Sequence, residues 1–312
     1  MRKKLVVGLV IGLVLISLAA AIAIKGDTKI MAGKASTGEK VGVIHIEGTI
    51  VSSAPGGFGA GGVAAADEIV ANLKEARENP EIKAVILRLN TGGGSVVGSD
   101  EIGREVERLR RSGKKVVAVM GEMAASGGYW IACKADKIVA NPGTFTGSIG
   151  VIMQVTKMKE LYNKIGVDVE TFKTGPHKDM GATGRDITPE ERRIFQGLVQ
   201  DSYDDFINVV AEGRKMDPAR VRQLADGRVY TGKQAKALGL VDELGDFTDA
   251  VKLTARLANI KGEPELVEIG RRDNFLGDLL GGLQNQGKIL PLPLEGLLLM
   301  PDPALSEMRS QK

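Results

Sequence analysis

The chain has 312 residues, of which 43% are hydrophobic and 4% aromatic, and its net charge is +3. This length is typical of one large domain or two small ones. The net charge is low and no basic stripe with interleaved aromatic residues is found, so a nucleic-acid partner is not expected. A single cysteine, Cys133, excludes an intrachain disulfide. With only His45 and His177 as histidines, a zinc site built from Cys and His ligands is not expected either.

The N-terminus carries a hydrophobic segment. Arg2, Lys3 and Lys4 precede Leu5–Ile24, twenty residues without a charge. As a helix they would measure about 30 Å, the thickness of a bilayer core, and the positive flank favours keeping this end in the cytoplasm. We therefore expect residues 1–25 to be a basic start and a retained transmembrane anchor. A cleaved signal peptide is the alternative, with Ala21–Ala23 as its cleavage site.

Beyond a polar linker at 26–40, strand and helix patterns alternate. The predicted strands cover residues 41–46, 84–89, 115–120, 137–140 and 168–172. The predicted helices cover residues 65–78, 97–111, 127–134, 156–165, 188–213, 217–224 and 247–258. This order favours an α/β domain with parallel strands over 41–258. Residues 259–312 are expected to be a C-terminal extension that is flexible or packs on a neighbouring subunit.

Two glycine-rich and small-residue turns are candidates for chemistry. Ser126 follows a predicted strand and precedes a helix, where free N–H groups and the helix dipole favour a developing oxyanion. Gly92–Gly94 follow another strand, and glycines let backbone N–H groups approach a ligand closely. Both features also have plain structural readings, as tight helix packing and as a simple loop.

A serine nucleophile needs a base within hydrogen-bond reach. His45 lies inside a strand, whereas His177 and Lys178 are adjacent in a polar loop. A lysine acts as a base only when its amine is uncharged, which requires burial or a cationic neighbour. The residues themselves leave His177 and Lys178 as equal alternatives.

Four motifs in order resemble the SppA family of signal peptide peptidases. They are Met123–Trp130, Thr146–Val151, His177–Asp179 and Asp226–Gly245. The resemblance covers about residues 40–258 and the anchor. It implies a ClpP/crotonase-like superhelix of ββα units. It also implies a ring- or dome-shaped homo-oligomer whose active sites face a shared interior.

The resemblance also implies a role for each matching residue. Ser126 would be the nucleophile, Lys178 the general base and Ser148 the residue that holds the lysine amine. The serine and lysine would act as a dyad, a variant of the serine–histidine–aspartate arrangement. Neither a metal nor a cofactor is then expected.

The oxyanion hole implied by the resemblance is formed by backbone N–H groups. Gly94, with Gly93 beside it, matches the family's glycine turn, and Gly127 follows the nucleophile. Gly92 stands where the family usually has proline, which loosens the turn but removes no donor.

These observations predict a serine endopeptidase of the cell membrane, single-pass, with its catalytic domain on the extracytoplasmic side. Its substrates would be hydrophobic peptides such as remnant signal peptides. A catalytically inactive membrane-bound scaffold of the same fold is one alternative. A crotonase-type acyl-CoA enzyme is another, which would need an acidic residue in the site and no essential Ser126.

Overall fold

The computed structural model describes residues 38–53 and 62–270. Its strands are β1 (Lys40–Glu47), β2 (Thr49–Val51), β3 (Val63–Ala65), β4 (Ile82–Thr91), β5 (Lys115–Ala125), β6 (Lys137–Ala140), β7 (Phe145–Gly147), β8 (Val229–Thr231), β9 (Glu243–Leu244) and β10 (Glu265–Glu268). Its helices are α1 (Ala66–Glu78), α2 (Val96–Arg111), α3 (Gly127–Cys133), α4 (Lys159–Ile165), α5 (Pro189–Arg214), α6 (Pro218–Leu224), α7 (Gly232–Ala237) and α8 (Phe247–Leu257).

The main sheet has the strand order β10-β1-β4-β5-β6-β9, and each neighbouring pair is parallel. The end of β5 pairs with β7, which pairs antiparallel with β8. Strands β2 and β3 form a separate parallel pair, and Ile50 of β2 is bridged to Gly94 beyond the end of β4. The predicted α/β class is confirmed.

Three of the central strands are each followed by a short second strand or bridge and then by a helix. β1 leads through β2 and β3 to α1, β4 leads through the bridge at Gly94 to α2, and β5 leads through its β7-paired end to α3. These repeats agree with the ββα units that the family resemblance implies. Their arrangement as a ClpP/crotonase-like superhelix stays a prediction.

Apolar side chains bury both faces of the sheet. Ile44 of β1 belongs to a core cluster with Leu73 of α1 and Ile102 of α2, whereas Val41 belongs to a second cluster with Leu253 of α8. Because successive strand residues point to opposite faces, a strand covered on both sides is an almost continuous apolar run. This explains why β1, β4 and β5 were recognisable in the sequence.

The long helix α5 connects this core to an exposed part of the chain. Thr188 Oγ1 accepts the Glu191 N–H at 3.1 Å and the Glu191 carboxylate accepts the Thr188 N–H at 2.9 Å, so the two residues form a capping box. Further along, the Phe206 ring lies 5.1 Å from the Trp130 ring of α3. The helix therefore begins among polar residues and ends in the core.

The structure differs from the sequence-based assignment at several places. It contains short elements that were not predicted, namely β2, β3, β7, β8, β9 and α7, and β5 continues to Ala125. The strand predicted at 168–172 is wrong, because these residues are exposed and have no strand partner in the described part of the chain. The domain also continues past residue 258, since β10 at Glu265–Glu268 pairs with β1 and the compact unit extends to Gly270. Only Val267 of β10 is partly covered, so no apolar pattern marks this edge strand.

The predicted anchor at 1–25, most of the linker at 26–40 and the tail beyond 270 lie outside the described residues. Over 38–53 and 62–270, no helix combines the length and the apolar character needed to cross a membrane.

Two glycines of α5 allow a matched test of how closely this helix packs. A Cβ on Gly213 would lie 2.1 Å from the carbonyl oxygen of Cys133, whereas a Cβ on Gly197 would meet nothing within 4 Å. We expect Gly213→Ala to lower the free energy of unfolding by about 1–3 kcal/mol, because α5 must move away from α3. Gly197→Ala should raise it by about 0.5–1 kcal/mol through reduced backbone entropy of the unfolded chain. Urea denaturation measures both changes, and changes of equal sign would contradict the close contact.

Candidate active site

Ser126 occupies a sharp turn between a strand and a helix. Its backbone angles are φ 52° and ψ −121°, and α3 begins at the next residue. The Ser126 N–H donates to the Gly147 carbonyl at 2.9 Å, and the Trp130 N–H donates to the Ser126 carbonyl at 2.9 Å. A positive φ is strained for a residue with a side chain and persists only where the surroundings impose it. This strand–turn–helix geometry is typical of a nucleophile elbow.

The glycine turn packs directly against this elbow. A Cβ on Gly93 would lie 2.7 Å from both the Gly127 nitrogen and the Ser126 Cβ. A Cβ on Gly94 would lie 2.1 Å from the Ile50 carbonyl oxygen, in the bridge to β2. Both glycines also have positive φ, at 99° and 152°. Only glycine fits at these two positions, since the approach is between backbones.

The two free backbone donors beside Ser126 belong to Gly94 and Gly127. The Ile50 N–H donates to the Gly93 carbonyl, and within the described residues the Gly94 N–H has no acceptor. Gly127 is the first residue of α3, so its N–H has no acceptor within the helix. The Gly93 N–H is different, because it donates to Thr91 Oγ1 at 3.0 Å. Gly93 therefore provides the close approach, and the other two glycines provide the donors.

Ser148 lies in the same cleft as Ser126. It follows β7 with φ 49°, and its N–H donates to the Arg228 carbonyl at 2.8 Å. The cleft has a volume of about 770 Å³, and its lining includes Gly93 and Gly94. The predicted nucleophile, the second serine and the glycine turn thus meet at one place.

Helix α5 supplies the opposite wall of this cleft through Gln196, Gln200 and Tyr203. These residues were not singled out from the sequence, although their spacing places them along one side of a helix. Asp226 also lines the cleft, and its hydrogen bonds to Arg228 at 2.7 and 2.8 Å lower the pKa of this carboxyl. Asp226 is therefore a charged acceptor rather than a proton donor at neutral pH.

A smaller apolar pocket opens beside Ser126. Its volume is about 100 Å³, and its lining includes Gly127, Val96, Trp130 and Phe206. Trp130 and Phe206 are themselves held by contact between α3 and α5. A pocket of this kind suits one apolar side chain placed next to the reacting bond.

Lys178 is not brought to Ser126 by the described part of the chain. Its side chain is exposed, lines neither the cleft nor the pocket, and has no hydrogen-bond or ion-pair partner among the described residues. His177 is also away from the cleft: its Nε2 lies 3.7 Å from Glu190 Oε1. In residues 38–53 and 62–270, no group of three or more His, Cys, Asp or Glu side chains is placed to hold a metal.

Comparison with known proteins identifies the family. Residues 108–261, which include Ser126, Ser148 and Lys178, match the profile of Peptidase family S49. A protein of Synechocystis sp. is 40% identical over 236 residues, which make up 76% of this chain and 80% of that protein. The chain belongs to peptidase family S49. The resemblance to SppA enzymes is thereby confirmed.

Other S49 relatives are longer. "Protease 4" of Salmonella typhi is 41% identical over 229 residues, 73% of this chain and 36% of that protein. "Serine protease SPPA, chloroplastic" of Arabidopsis thaliana is 36% identical over 236 residues, 75% of this chain and 35% of that protein. The matched region thus spans about a third of these two relatives. A solved ClpP1 mutant from Listeria monocytogenes aligns with TM-score 0.43 and 15% identity over 67% of this chain and 93% of that chain, too distant a similarity to support a conclusion.

The contact between the glycine turn and the elbow can be tested with adjacent glycines. Gly93→Ala should reduce labelling of Ser126 by a fluorophosphonate probe by about 100-fold or more, because the new Cβ displaces the Gly127 donor. Gly92→Ala should change it at most a few-fold, since its Cβ would meet only the Met123 sulfur at 3.5 Å. Circular dichroism checks that both variants are folded. Equal labelling of the two variants would show that the turn does not shape the site.

Proposed function

We propose that the chain is a serine endopeptidase in which Ser126 is the nucleophile and Lys178 the general base. The observation that carries this proposal is the strained turn at Ser126, which shares a pocket with Gly94 and Gly127, whose N–H groups have no acceptor among the described residues. Two such donors beside a serine hydroxyl are what a tetrahedral intermediate of acyl transfer requires. Membership of a peptidase family directs this chemistry to peptide bonds.

The proposed reaction has two stages. The Lys178 amine takes the proton from Ser126 Oγ, which attacks the peptide carbonyl carbon while the oxyanion accepts hydrogen bonds from Gly94 and Gly127. The lysine then returns the proton to the leaving amine. Water hydrolyses the acyl-enzyme by the same route, which is the serine–lysine form of the triad mechanism. Ser148, in the same cleft, would hold the lysine amine.

The proposed substrates are hydrophobic peptides such as remnant signal peptides. The apolar pocket lined by Trp130 and Phe206 supports this choice, because it would bury an apolar side chain next to the cleaved bond. The uncharged segment Leu5–Ile24 supports a membrane anchor that keeps the domain near such substrates, on the extracytoplasmic side.

The exposed position of Lys178 must be reconciled with its proposed role, since a base acts only within hydrogen-bond distance. Lys178 lies in the segment 151–188, which precedes α5. This segment has few buried side chains, and its helix α4 has none. Two large apolar side chains of this segment, Ile152 and Phe172, are 85% and 88% exposed. Exposed apolar surface often marks the place where another protein chain binds. We propose that the segment packs against a neighbouring subunit of a ring- or dome-shaped homo-oligomer, and that Lys178 meets Ser126 across this contact.

An inactive scaffold of the same fold is the second candidate. The observation that favours it is the distance of Lys178 from the cleft, which leaves Ser126 without a base in the described part of a single chain. The acyl-CoA alternative has no comparable support, because S49 is a peptidase family.

Cleavage of a hydrophobic fluorogenic peptide by the full chain in detergent tests the dyad. Ser126→Ala and Lys178→Ala should each reduce kcat by about a thousandfold, since loss of either dyad member removes the activated nucleophile. Lys164→Ala is the matched control, an exposed lysine of α4, and should retain the wild-type rate. A wild-type rate in Lys178→Ala would make His177 the next candidate base. A folded wild-type chain without Ser126-dependent cleavage would favour the scaffold.

Mixed oligomers test where the lysine comes from. The Ser126→Ala and Lys178→Ala chains are expressed together with different affinity tags, and complexes that carry both tags are purified. If Lys178 serves a neighbouring subunit, random pairing in a closed ring should restore about a quarter of the wild-type rate. If Lys178 serves its own chain, the mixture should be as inactive as each variant alone.

A further inference from the structure

An ion cluster lies immediately next to Lys178. The Arg185 guanidinium donates to Asp179 with Nε to Oδ2 at 2.9 Å and Nη2 to Oδ1 at 2.8 Å. Its Nη1 also donates to Glu191 Oε2 at 2.9 Å. Lys173 Nζ donates to the same Asp179 carboxylate at 2.6 Å. We call Arg185, Asp179 and Glu191 the arginine clamp.

Every nitrogen of the Arg185 guanidinium donates a hydrogen bond, and the two carboxylates of the clamp are largely shielded from solvent. Besides the carboxylates, Arg185 donates to the carbonyls of Asp179 and Asp186, both at 3.1 Å. Only 2% of the Glu191 side chain and 11% of the Asp179 side chain are exposed. Pairing of two carboxylates by one planar guanidinium requires arginine, because lysine cannot make this fork. This number of hydrogen bonds contrasts with the rest of the segment, whose side chains are mostly exposed.

The clamp joins the loop around Lys178 to the wall of the cleft. Glu191 belongs to the first turn of α5, and this helix continues to Gln196 and Tyr203, which line the cleft. Farther along, Phe206 is buried in the core. The clamp therefore ties the loop that contains Lys178 to a helix that reaches both the cleft and the core.

The clamp also occupies the carboxylate of Asp179, the residue that follows Lys178 in the chain. Hydrogen bonds from Arg185, and then from Lys173, hold the pKa of the Asp179 carboxyl well below its usual range. Those from Arg185 and the Thr188 N–H lower the pKa of Glu191 to about 2. Asp179 is therefore charged at neutral pH but already paired with two cations. A free carboxylate in its place would favour the ammonium form of the adjacent lysine.

We propose that Arg185 is a positioning residue for Lys178, holding its loop to α5 and keeping Asp179 from pairing with its amine. This inference rests on the proposed role of Lys178 as the base. It also assigns Asp179 to the support of the site. It applies whether Lys178 acts in its own chain or in a neighbour.

Two variants with opposite expected effects on the half-maximal pH of kcat/KM separate this role from a purely structural one. Arg185→Met, combined with Glu191→Gln to avoid an unpaired buried carboxylate and to keep the helix cap, keeps the net charge but takes the arginine partner away from the Asp179 carboxylate. Asp179→Asn removes the clamp anion with no change of shape. The other charged groups of the same segment remain in both variants: Lys173 and the pairs Lys159–Asp186 and His177–Glu190. Arg104→Met, which loses a surface pair with Asp100 on α2, is the control.

The readouts are kcat, KM and the pH at which kcat/KM is half-maximal, measured on the full chain. Both clamp variants should lower kcat about tenfold with little change in KM, because the base is misplaced while the cleft is intact. The half-maximal pH should rise by about 0.5 unit when the Asp179 carboxylate is released from Arg185, and fall by about as much when the Asp179 charge itself is removed. Arg185→Lys should restore the pH value but not kcat, since it keeps the charge without the fork. The control should match wild type.

Unchanged kcat and half-maximal pH in both clamp variants would overturn the proposal, and so would shifts of the half-maximal pH in the same direction.

If the full chain shows no Ser126-dependent cleavage, the proposed function fails, and the role of the clamp is tested by chemical labelling of Lys178 instead. The Lys178 amine is acetylated with acetic anhydride at fixed pH and quantified by mass spectrometry against Lys164. The Arg185→Met/Glu191→Gln chain should label about threefold more slowly at Lys178 than wild type. Equal labelling would overturn the clamp independently of activity.

Discussion

The contact of the glycine turn with the Ser126 elbow is the constraint on which the site depends. Three pieces of backbone meet there, from β2, from the turn after β4 and from the start of α3, without room for a Cβ between them. Gly94 and Gly127 line the same pocket as the serine. The contact also explains the strain at Ser126, which the neighbouring strand and helix hold in place through main-chain hydrogen bonds.

Helix α5 carries the second half of the arrangement. One end packs on α3 through Phe206 and Trp130, its middle lines the cleft, and its first turn is tied by Glu191 to the loop that carries Lys178. The proposed nucleophile therefore lies in a turn that packs on the core, whereas the proposed base sits on a segment attached to the core mainly through a helix and an ion cluster. A site divided in this way can be completed when the segment meets another subunit.

The success of the sequence-based assignment followed the strength of the hydrophobic pattern. The long strands β1, β4 and β5 and the helices α1, α2, α5 and α8 have apolar residues at strand or helix spacing, and they occur where they were predicted. The short strands β7, β8 and β10 have only three or four residues each and owe their conformation to their partners. Residues 168–172 show the opposite case, because Val169, Thr171 and Phe172 favour a strand but have no partner strand in the described chain. Local propensity does not make a strand when no sheet edge receives it.

The sequence by itself determined the α/β class, the elbow serine between strand and helix, and the glycines that only a close backbone approach requires. These features are local, since they depend on spacing along the chain and on the absence of a Cβ. The tertiary structure alone decided that Ser148 shares the cleft with Ser126, and that the Gly93 N–H is taken by Thr91. It also showed that Arg185 pairs with both Asp179 and Glu191. Such contacts depend on the directions of the side chains, which are set by packing in the folded protein. The spacing of residues along the chain does not predict this packing.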